Sequence, residues 1–379
     1  MKFLNRNKRV LLSFLTICVL INVKLYAESI DSLDQLCQRL GVNGLSAAVL
    51  SDSSIIFTYE YGVATHVVNG NVVEDKLKQD DLWRVASVTK NVIAVAIMKL
   101  NEDGYLSIGN DIGNYLPERI RSPYWPDTPI TIEMLLSHRS SINNANYFSK
   151  NYKGIEFLEC KPGTKYKYSN VNYLVLAQII ENVTKCRFDR YIELNILRKI
   201  DVEGTFNPYV CEEDRFIYGH WYDSQKKRDV LCNPYRWYDK KLIDNYKIID
   251  DTKELNPAGG LIVTKEDLSR YVMMMYNDGK YNNRRIISEN SCMRMRESLS
   301  KEIHYGLGTI DYSGMIKGDK LYGHTGYSMG IFSCIAYNSE KKYGFVILCD
   351  GADINYPDAF RLIHTPIIKV LYNICLKNR

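Results

Sequence analysis

The 379-residue chain has no Cys-x-x-Cys pair and no His-Glu-x-x-His, and its six histidines are scattered. Neither a zinc site nor a dithiol redox centre is indicated, and no cofactor is called for. No stretch after the N-terminal 27 residues runs apolar for the 18 or more residues that a spanning helix needs. Internal repeats and low-complexity tracts are missing. With 46% apolar and 25% charged residues, a disordered or fibrous chain is excluded. Charge of one sign is also lacking. The formal +5 is carried by Lys2, Arg6, Lys8, Arg9 and Lys24, in a segment with no Asp or Glu, and the remainder balances. A nucleic-acid partner therefore loses its usual electrostatic footprint.

What is present begins with that segment. A basic stretch, Met1–Arg9, precedes an apolar run from Val10 to about Val23, and Leu25-Tyr26-Ala27 fits a small-residue cleavage site. Residues 1–27 thus read as a secretory signal, the alternative being an uncleaved anchor. The expectation is an exported protein, periplasmic or secreted, with no membrane span once the signal is removed. Setting aside Cys18 leaves an odd number of cysteines. Cys211 and Cys232 flank a polar, aromatic stretch and could pair; the plainer reading is small buried core residues.

Leu45–Leu50 and Ile55–Tyr61, separated by Ser51-Asp52-Ser53-Ser54, predict a hairpin. Val88, Val92, Ile93, Ala96, Ile97 and Leu100 recur at helical spacing, predicting a helix from Val85 to about Asp103 stopped by Gly104. Further helices are predicted over Asn172–Val183, Lys265–Tyr276 and Pro357–Leu376, the last broken near Pro366, with strands at Phe332–Tyr337 and Tyr343–Cys349. Strands at both ends and helices between them imply an α/β (α+β) fold. Its antiparallel sheet is built from N- and C-terminal segments flanked by helices, with an inserted, mostly helical lobe. Residues 28–379 then form one two-lobed domain, the α/β lobe taking about 28–104 and 255–379 and the helical lobe about 105–254. The stretch 205–250 reads as a long irregular excursion. Its Tyr218, Trp221, Tyr222, Tyr235, Trp237 and Tyr238 either border a binding site or pack the lobe.

Three short motifs carry chemistry. Ser87-Val88-Thr89-Lys90 is a Ser-x-x-Lys match, as are Ser224/Lys227, Ser298/Lys301 and Ser339/Lys342, but only Ser87 opens a long apolar helix. There Lys90 shares a face with the serine, and burial of its amine prepares it to take a proton. The alternative is a capping serine and a solvated lysine. Tyr168-Ser169-Asn170 precedes the second apolar helix. A tyrosine acidified by a nearby lysine can serve as general base, and an asparagine two residues on can bind a substrate amide. His324-Thr325-Gly326 precedes a strand, where a small Thr-Gly pair lets a substrate backbone lie alongside and the next N–H can serve an oxyanion hole.

In this order the three motifs resemble those of the serine β-lactamase and penicillin-binding superfamily, specifically the group of class C β-lactamases, D-Ala-D-Ala carboxypeptidases and related esterases. Leu135-Leu136-Ser137-His138-Arg139-Ser140-Ser141, Lys161-Pro162-Gly163-Thr164, Ala258-Gly259-Gly260-Leu261 and Tyr305-Gly306-Leu307-Gly308 are also similar to that group's stretches. The resemblance spans roughly residues 40–350. It implies Ser87 as the acyl-accepting nucleophile, with Lys90 and Tyr168 sharing proton transfer and Asn170 holding a substrate amide or carbonyl. It further implies the backbone N–H groups of Ser87 and Tyr327 as oxyanion hole, and His324, Thr325 and Gly326 as substrate-binding, the first two meeting a carboxylate. No metal or cofactor is required, and the partner is a small-molecule or peptide acyl substrate. The implied function is a serine hydrolase of carboxypeptidase or esterase type with weak or no β-lactamase activity. An acyltransferase using the same acyl-enzyme, or a non-catalytic penicillin-binding receptor, is the alternative. Two departures stand out: His324 where class C enzymes usually have lysine, and Ser141 in place of a usual glycine.

Overall fold

The computed structural model describes residues 30–144, 155–223, 228–236, 238–299, 303–352 and 360–377. The signal-like segment and Trp237 lie outside them. Seven strands form one antiparallel sheet: β1 (Gly44–Ser51), β2 (Ser54–Val68), β3 (Asn71–Lys76), β4 (Ile310–Asp311), β5 (Tyr322–Ser328), β6 (Ile331–Asn338) and β7 (Tyr343–Asp350), in the order β4-β5-β6-β7-β1-β2-β3. The two ends of the chain meet where β1 pairs with β7, from Gly44 opposite Asp350 to Ser51 opposite Tyr343. The fold is the mixed α/β arrangement expected, with an antiparallel sheet built from both chain ends.

Every residue of β1, β6 and β7 is buried, so these strands read as continuous apolar runs rather than alternating ones. The reason is coverage on both faces, with alternate side chains going to different cores. Ala48, Leu50, Ile335, Tyr337, Val346 and Leu348 face the helices α1 (Thr89–Glu102), α2 (Asn170–Thr184) and α3 (Lys265–Tyr276). Leu45, Ala47, Val49, Ala336, Phe345 and Ile347 face residues 30–39, which are helical, and α4 (Thr365–Cys375). Pro366 sits in the first turn of α4, where a missing N–H costs nothing. Residues 357–359 of the helix expected there lie outside the described residues.

The structure departs from the expected elements in two ways that bear on the site. Strand β2 continues to Val68 and turns back as β3, because Asn69 and Gly70 take the positive φ values that a tight hairpin needs. The His-Thr-Gly motif lies inside a strand, β5, rather than ahead of one. The excursion is less irregular than expected, holding a hairpin (His220–Asp223 with Arg228–Leu231) and a short helix (Lys240–Asp244). Tyr218, Tyr235 and Phe216 pack against one another, and Tyr218 and Tyr238 are buried, so these rings fill the lobe, whereas Trp221 is exposed. Cys211 and Cys232 are free thiols, so the pairing raised by the sequence is not formed.

One buried carboxylate ties the excursion to α2. Glu181 accepts hydrogen bonds from Phe188 N, Ile249 N, Tyr246 Oη and Thr252 Oγ1, at 3.1, 2.6, 2.5 and 2.6 Å. Burial pushes its carboxyl up, and those donors pull against it. Removing the acceptor strands several buried donors at about 1–3 kcal/mol each. Glu181→Ala should therefore lower the unfolding free energy by about 3 kcal/mol or more, read by urea denaturation. A loss below about 1 kcal/mol would show that the network is not holding the excursion in place.

Candidate active site

Ser87 sits in a single 3-10 turn, Ala86–Val88, that leads into α1. The preceding Ala86 has φ +44°, a left-handed conformation that costs an alanine on the order of 1 kcal/mol. Three contacts hold the turn there. Val85 N donates to Leu261 O at 2.9 Å, Ser333 Oγ donates to Val85 O at 2.7 Å, and Leu261 N donates to Thr89 Oγ1 at 3.2 Å. The Ala258–Leu261 stretch is thus the wall against which the serine turn is pressed.

Lys90, the second residue of α1 and one turn on from Ser87, is fully buried. Its Nζ lies 2.9 Å from Ser87 Oγ and 2.5 Å from Ala258 O. Burial holds its pKa well below the ordinary lysine value. The Tyr168 and Tyr173 rings, 5.0 and 5.5 Å away, favour the ammonium, but that attraction is worth about 1–2 kcal/mol against a larger desolvation cost. A neutral amine can accept the Ser87 proton while donating its own to Ala258 O. Tyr168 Oη lies 2.8 Å from Ser87 Oγ on the other side and can donate to it. The amine and the phenol therefore converge on one hydroxyl from residues 3 and 81 positions away in sequence.

Asn170 falls in the first turn of α2, not in an extended segment as expected, because Ser169 is the last extended residue. Its half-exposed side chain stands two residues from Tyr168. On the opposite wall, β5 brings in His324, Thr325, Gly326 and Tyr327. A Cβ on Gly326 would sit 2.5 Å from Val85 O and 2.8 Å from Ser87 N, so only glycine lets the strand lie this close to the serine turn. The register pairs β4 with Tyr322 and Gly323 only. Among the described residues no strand pairs with the outer edge of β5 from His324 to Ser328.

His324 departs from its expected part. It is buried, its Nε2 meets Tyr305 Oη at 3.0 Å, and its Nδ1 meets Thr325 O at 2.6 Å. Burial first, and Lys90 second, push its pKa down to about 3. The ring is neutral with both nitrogens bonded inside the chain.

His138 takes part in a way that the motifs did not reveal. The buried ring packs on Tyr168, centroids 4.3 Å apart. Its Nδ1 accepts from Ser169 N at 3.2 Å and Asn172 Nδ2 at 3.1 Å. Burial and the nearby Lys90 keep it neutral. It holds the Tyr168–Asn170 segment at its backbone and its ring together, and the signal was already in the Leu135–Ser141 stretch. Ser141 has φ +63°, which explains why glycine is the usual residue there. Gly308, at φ +63°, packs behind the lysine, where a Cβ would lie 2.6 Å from Ala94 Cβ.

Among the described residues no group of three His, Cys, Asp or Glu side chains could hold a metal ion, and no helix is long and apolar enough to cross a membrane.

A family model, Beta-lactamase, matches residues 31–364. The chain belongs to this family. It is 24% identical over 351 residues to Protein flp of Staphylococcus aureus strain N315, covering 87% of this chain and 64% of that protein, so it spans less than two thirds of that relative's length. A putative D-alanyl-D-alanine carboxypeptidase of Escherichia coli K12 is 24% identical over 329 residues, covering 76% of this chain and 74% of the relative. The solved D-amino acid amidase of Ochrobactrum anthropi SV3, complexed with L-phenylalanine amide, superposes with TM-score 0.71 at 18% identity over 92% of this chain and 99% of the amidase. At that identity the likeness shows the fold.

The lowered Lys90 pKa sets the sign of the pH dependence. Where Lys90 serves as the base for Ser87, the competent form is the neutral amine, so acylation should fall as pH drops through the lysine's folded value. His324, at about 3, and the neutral His138 add no second limb near neutrality. The expected profile of acylation rate is highest at neutral to mildly alkaline pH with one acid limb. A rate flat down to pH 4 would contradict the assignment.

Proposed function

We propose that this chain is an exported serine hydrolase that works through an acyl-enzyme on Ser87. The observation that carries the reading is the pair of contacts to Ser87 Oγ, from Lys90 Nζ at 2.9 Å and Tyr168 Oη at 2.8 Å. Ser87 Oγ forms a bond to the substrate carbonyl carbon as its proton passes to the Lys90 amine. The oxyanion lies between the N–H groups of Ser87 and Tyr327. The bond from the carbonyl carbon to the leaving nitrogen or oxygen then breaks. That atom takes a proton from Tyr168, which is replaced by the proton that Lys90 received from Ser87. Water, deprotonated by the same pair, releases the acid and restores the hydroxyl.

The substrate is an amide or ester, of the D-amino-acid peptide (carboxypeptidase-like) or general ester class, with weak or no β-lactam turnover. Support comes from the carboxypeptidase and D-amino acid amidase to which the chain is similar and from Asn170 on α2 and Thr325 on β5, a partly exposed amide and hydroxyl. A bound alcohol or amine could intercept the same acyl-enzyme and give acyl transfer. Export is supported by the basic and apolar character of residues 1–27.

A fluorescent fluorophosphonate should label the folded protein at Ser87, and Ser87→Ala should abolish the label. A screen of p-nitrophenyl esters, D-Ala-D-Ala peptides and a chromogenic cephalosporin should show ester or peptide turnover well above cephalosporin turnover. An unlabelled, folded protein would instead support a receptor that binds without turnover.

A further inference from the structure

We infer that Arg84 is a positioning residue for acylation: it fastens the turn that follows Tyr327 to the strand that leads into Ser87, and so sets the spacing of the two backbone N–H groups that receive the oxyanion. This rests on the acyl-enzyme reading above and deepens it.

Arg84 lies three residues before Ser87, in the short strand Trp83–Arg84, which pairs with Ile262–Val263. The bond from Val85 N to Leu261 O carries that pairing on to the serine turn. The Arg84 backbone is thus tied to the Ser87 half of the hole. Its side chain leaves for other parts of the chain. Arg84 is 2% exposed; its Nη2 donates to Pro234 O at 2.5 Å, its Nη1 meets Met329 Sδ at 3.7 Å, and the Tyr238 ring centroid is 4.9 Å from the guanidinium carbon. A guanidinium out of water is costly unless acceptors are held where its donors point. The arginine and the segments that it touches therefore fix one another. The planar fork suits this task, because it reaches two acceptors at once from one rigid group.

Met329 is where the Tyr327 half is held. Tyr327 pairs with Phe332 and Ser328 with Ile331, so Met329-Gly330 is a two-residue turn between β5 and β6. Both residues have positive φ, +51° and +79°, the pattern of a type I′ hairpin turn. Glycine adopts that conformation freely, whereas a methionine at the first position is strained, and asparagine or aspartate is the usual choice. The sulfur on Arg84 gives the methionine a reason to be there. The excursion closes the other side of the turn. A Cβ on Gly219 would lie 2.0 Å from Met329 O, and one on Gly330 would lie 2.0 Å from His220 O, so the two backbones are in contact. Pro234, the acceptor for Arg84, belongs to the same excursion. Tyr327 is bracketed: Gly326 lies against Val85 O and Ser87 N on one side, and Met329 is held by Arg84 on the other. An N–H displaced by about 1 Å from the developing charge costs on the order of 100-fold in rate.

The test compares phenyl acetate with O-phenyl thionoacetate, in which sulfur replaces the carbonyl oxygen, using the full protein and subtracting the rate of Ser87→Ala. Sulfur is the weaker acceptor on the longer bond and gains less from the two N–H groups. The ratio of kcat/KM for the oxygen ester to that for the sulfur ester therefore reports how well those groups are aligned. A variant that merely folds less completely slows both esters alike and leaves the ratio unchanged. Arg84→Met keeps an unbranched side chain and removes the fork. It should lower kcat for phenyl acetate about tenfold with little change in KM, and lower the ratio about fivefold. An unchanged ratio in the folded variant would overturn the inference, as would a rise in KM alone. Should Arg84→Met not fold, Met329→Leu decides, since it removes the sulfur at nearly constant volume. A ratio lowered about twofold supports the inference, and an unchanged one overturns it. Failure of the underlying acyl-enzyme reading looks different: fluorophosphonate does not label the wild-type protein, or ester turnover persists in Ser87→Ala.

Discussion

The amine of Lys90 is fully buried and, among the described residues, pairs with no carboxylate, and the site depends on that isolation. An ammonium there would have to be stabilised by one carbonyl, one hydroxyl and two ring faces. Those contacts do not match the hydration that it gives up, so the group is held as a neutral base. The apolar helix that carries it supplies the burial. Val88, Val92, Ile93, Ala94 and Ile97 all lie within the core, and the sheet and α2 close over them. Core packing and the proposed proton transfer therefore rest on the same burial.

Other constraints around the serine serve that feature. The left-handed Ala86 turns Ser87 towards the lysine, and the wall of Ala258–Leu261 keeps it turned. Gly326 lets β5 approach within reach of the Ser87 backbone, and Gly308 lets the chain pass behind the lysine's own helix. His138 and its neighbouring tyrosines hold Tyr168 over the hydroxyl from a third direction. A group of polar rings in an apolar interior is costly unless each ring finds a partner. Here Tyr173 donates to Leu136 O at 3.0 Å, and Tyr305 donates to His324. The same bond that satisfies Tyr305 removes His324 from service as a cation.

Much of this was legible in the sequence because the relevant signals are local. Ser87 and Lys90 lie on one helical face, and the apolar periodicity that follows announces the burial of the lysine. The sheet was legible from its ends, since the apolar runs Leu45–Leu50 and Tyr343–Cys349 need covered faces whatever the partner. The rest depends on distant pairings. The turn from β2 into β3 is an exception, since Asn69-Gly70 between Val67-Val68 and Val72-Val73 is a local hairpin signal absent from the expected elements; nothing near His324 shows that Tyr305 will reach its ring. The part of His138 depends on Ser169 and Asn172, 31 and 34 residues away, so its motif was visible while its function was not. The aromatic excursion divides for the same reason: Tyr218 and Tyr238 are interior and Trp221 is exposed, a distinction set by folding rather than by composition.

The measurement that bears most directly on the neutral base is an NMR pH titration of the protein labelled with 13C at the lysine ε carbons, with the Lys90 signal assigned by its loss in Lys90→Arg. The account predicts that this one resonance titrates well below the ordinary lysine value of 10.5 and reports a neutral amine at the pH of maximal acylation. A Lys90 signal that moves together with the surface lysines, charged throughout the neutral range, would contradict it.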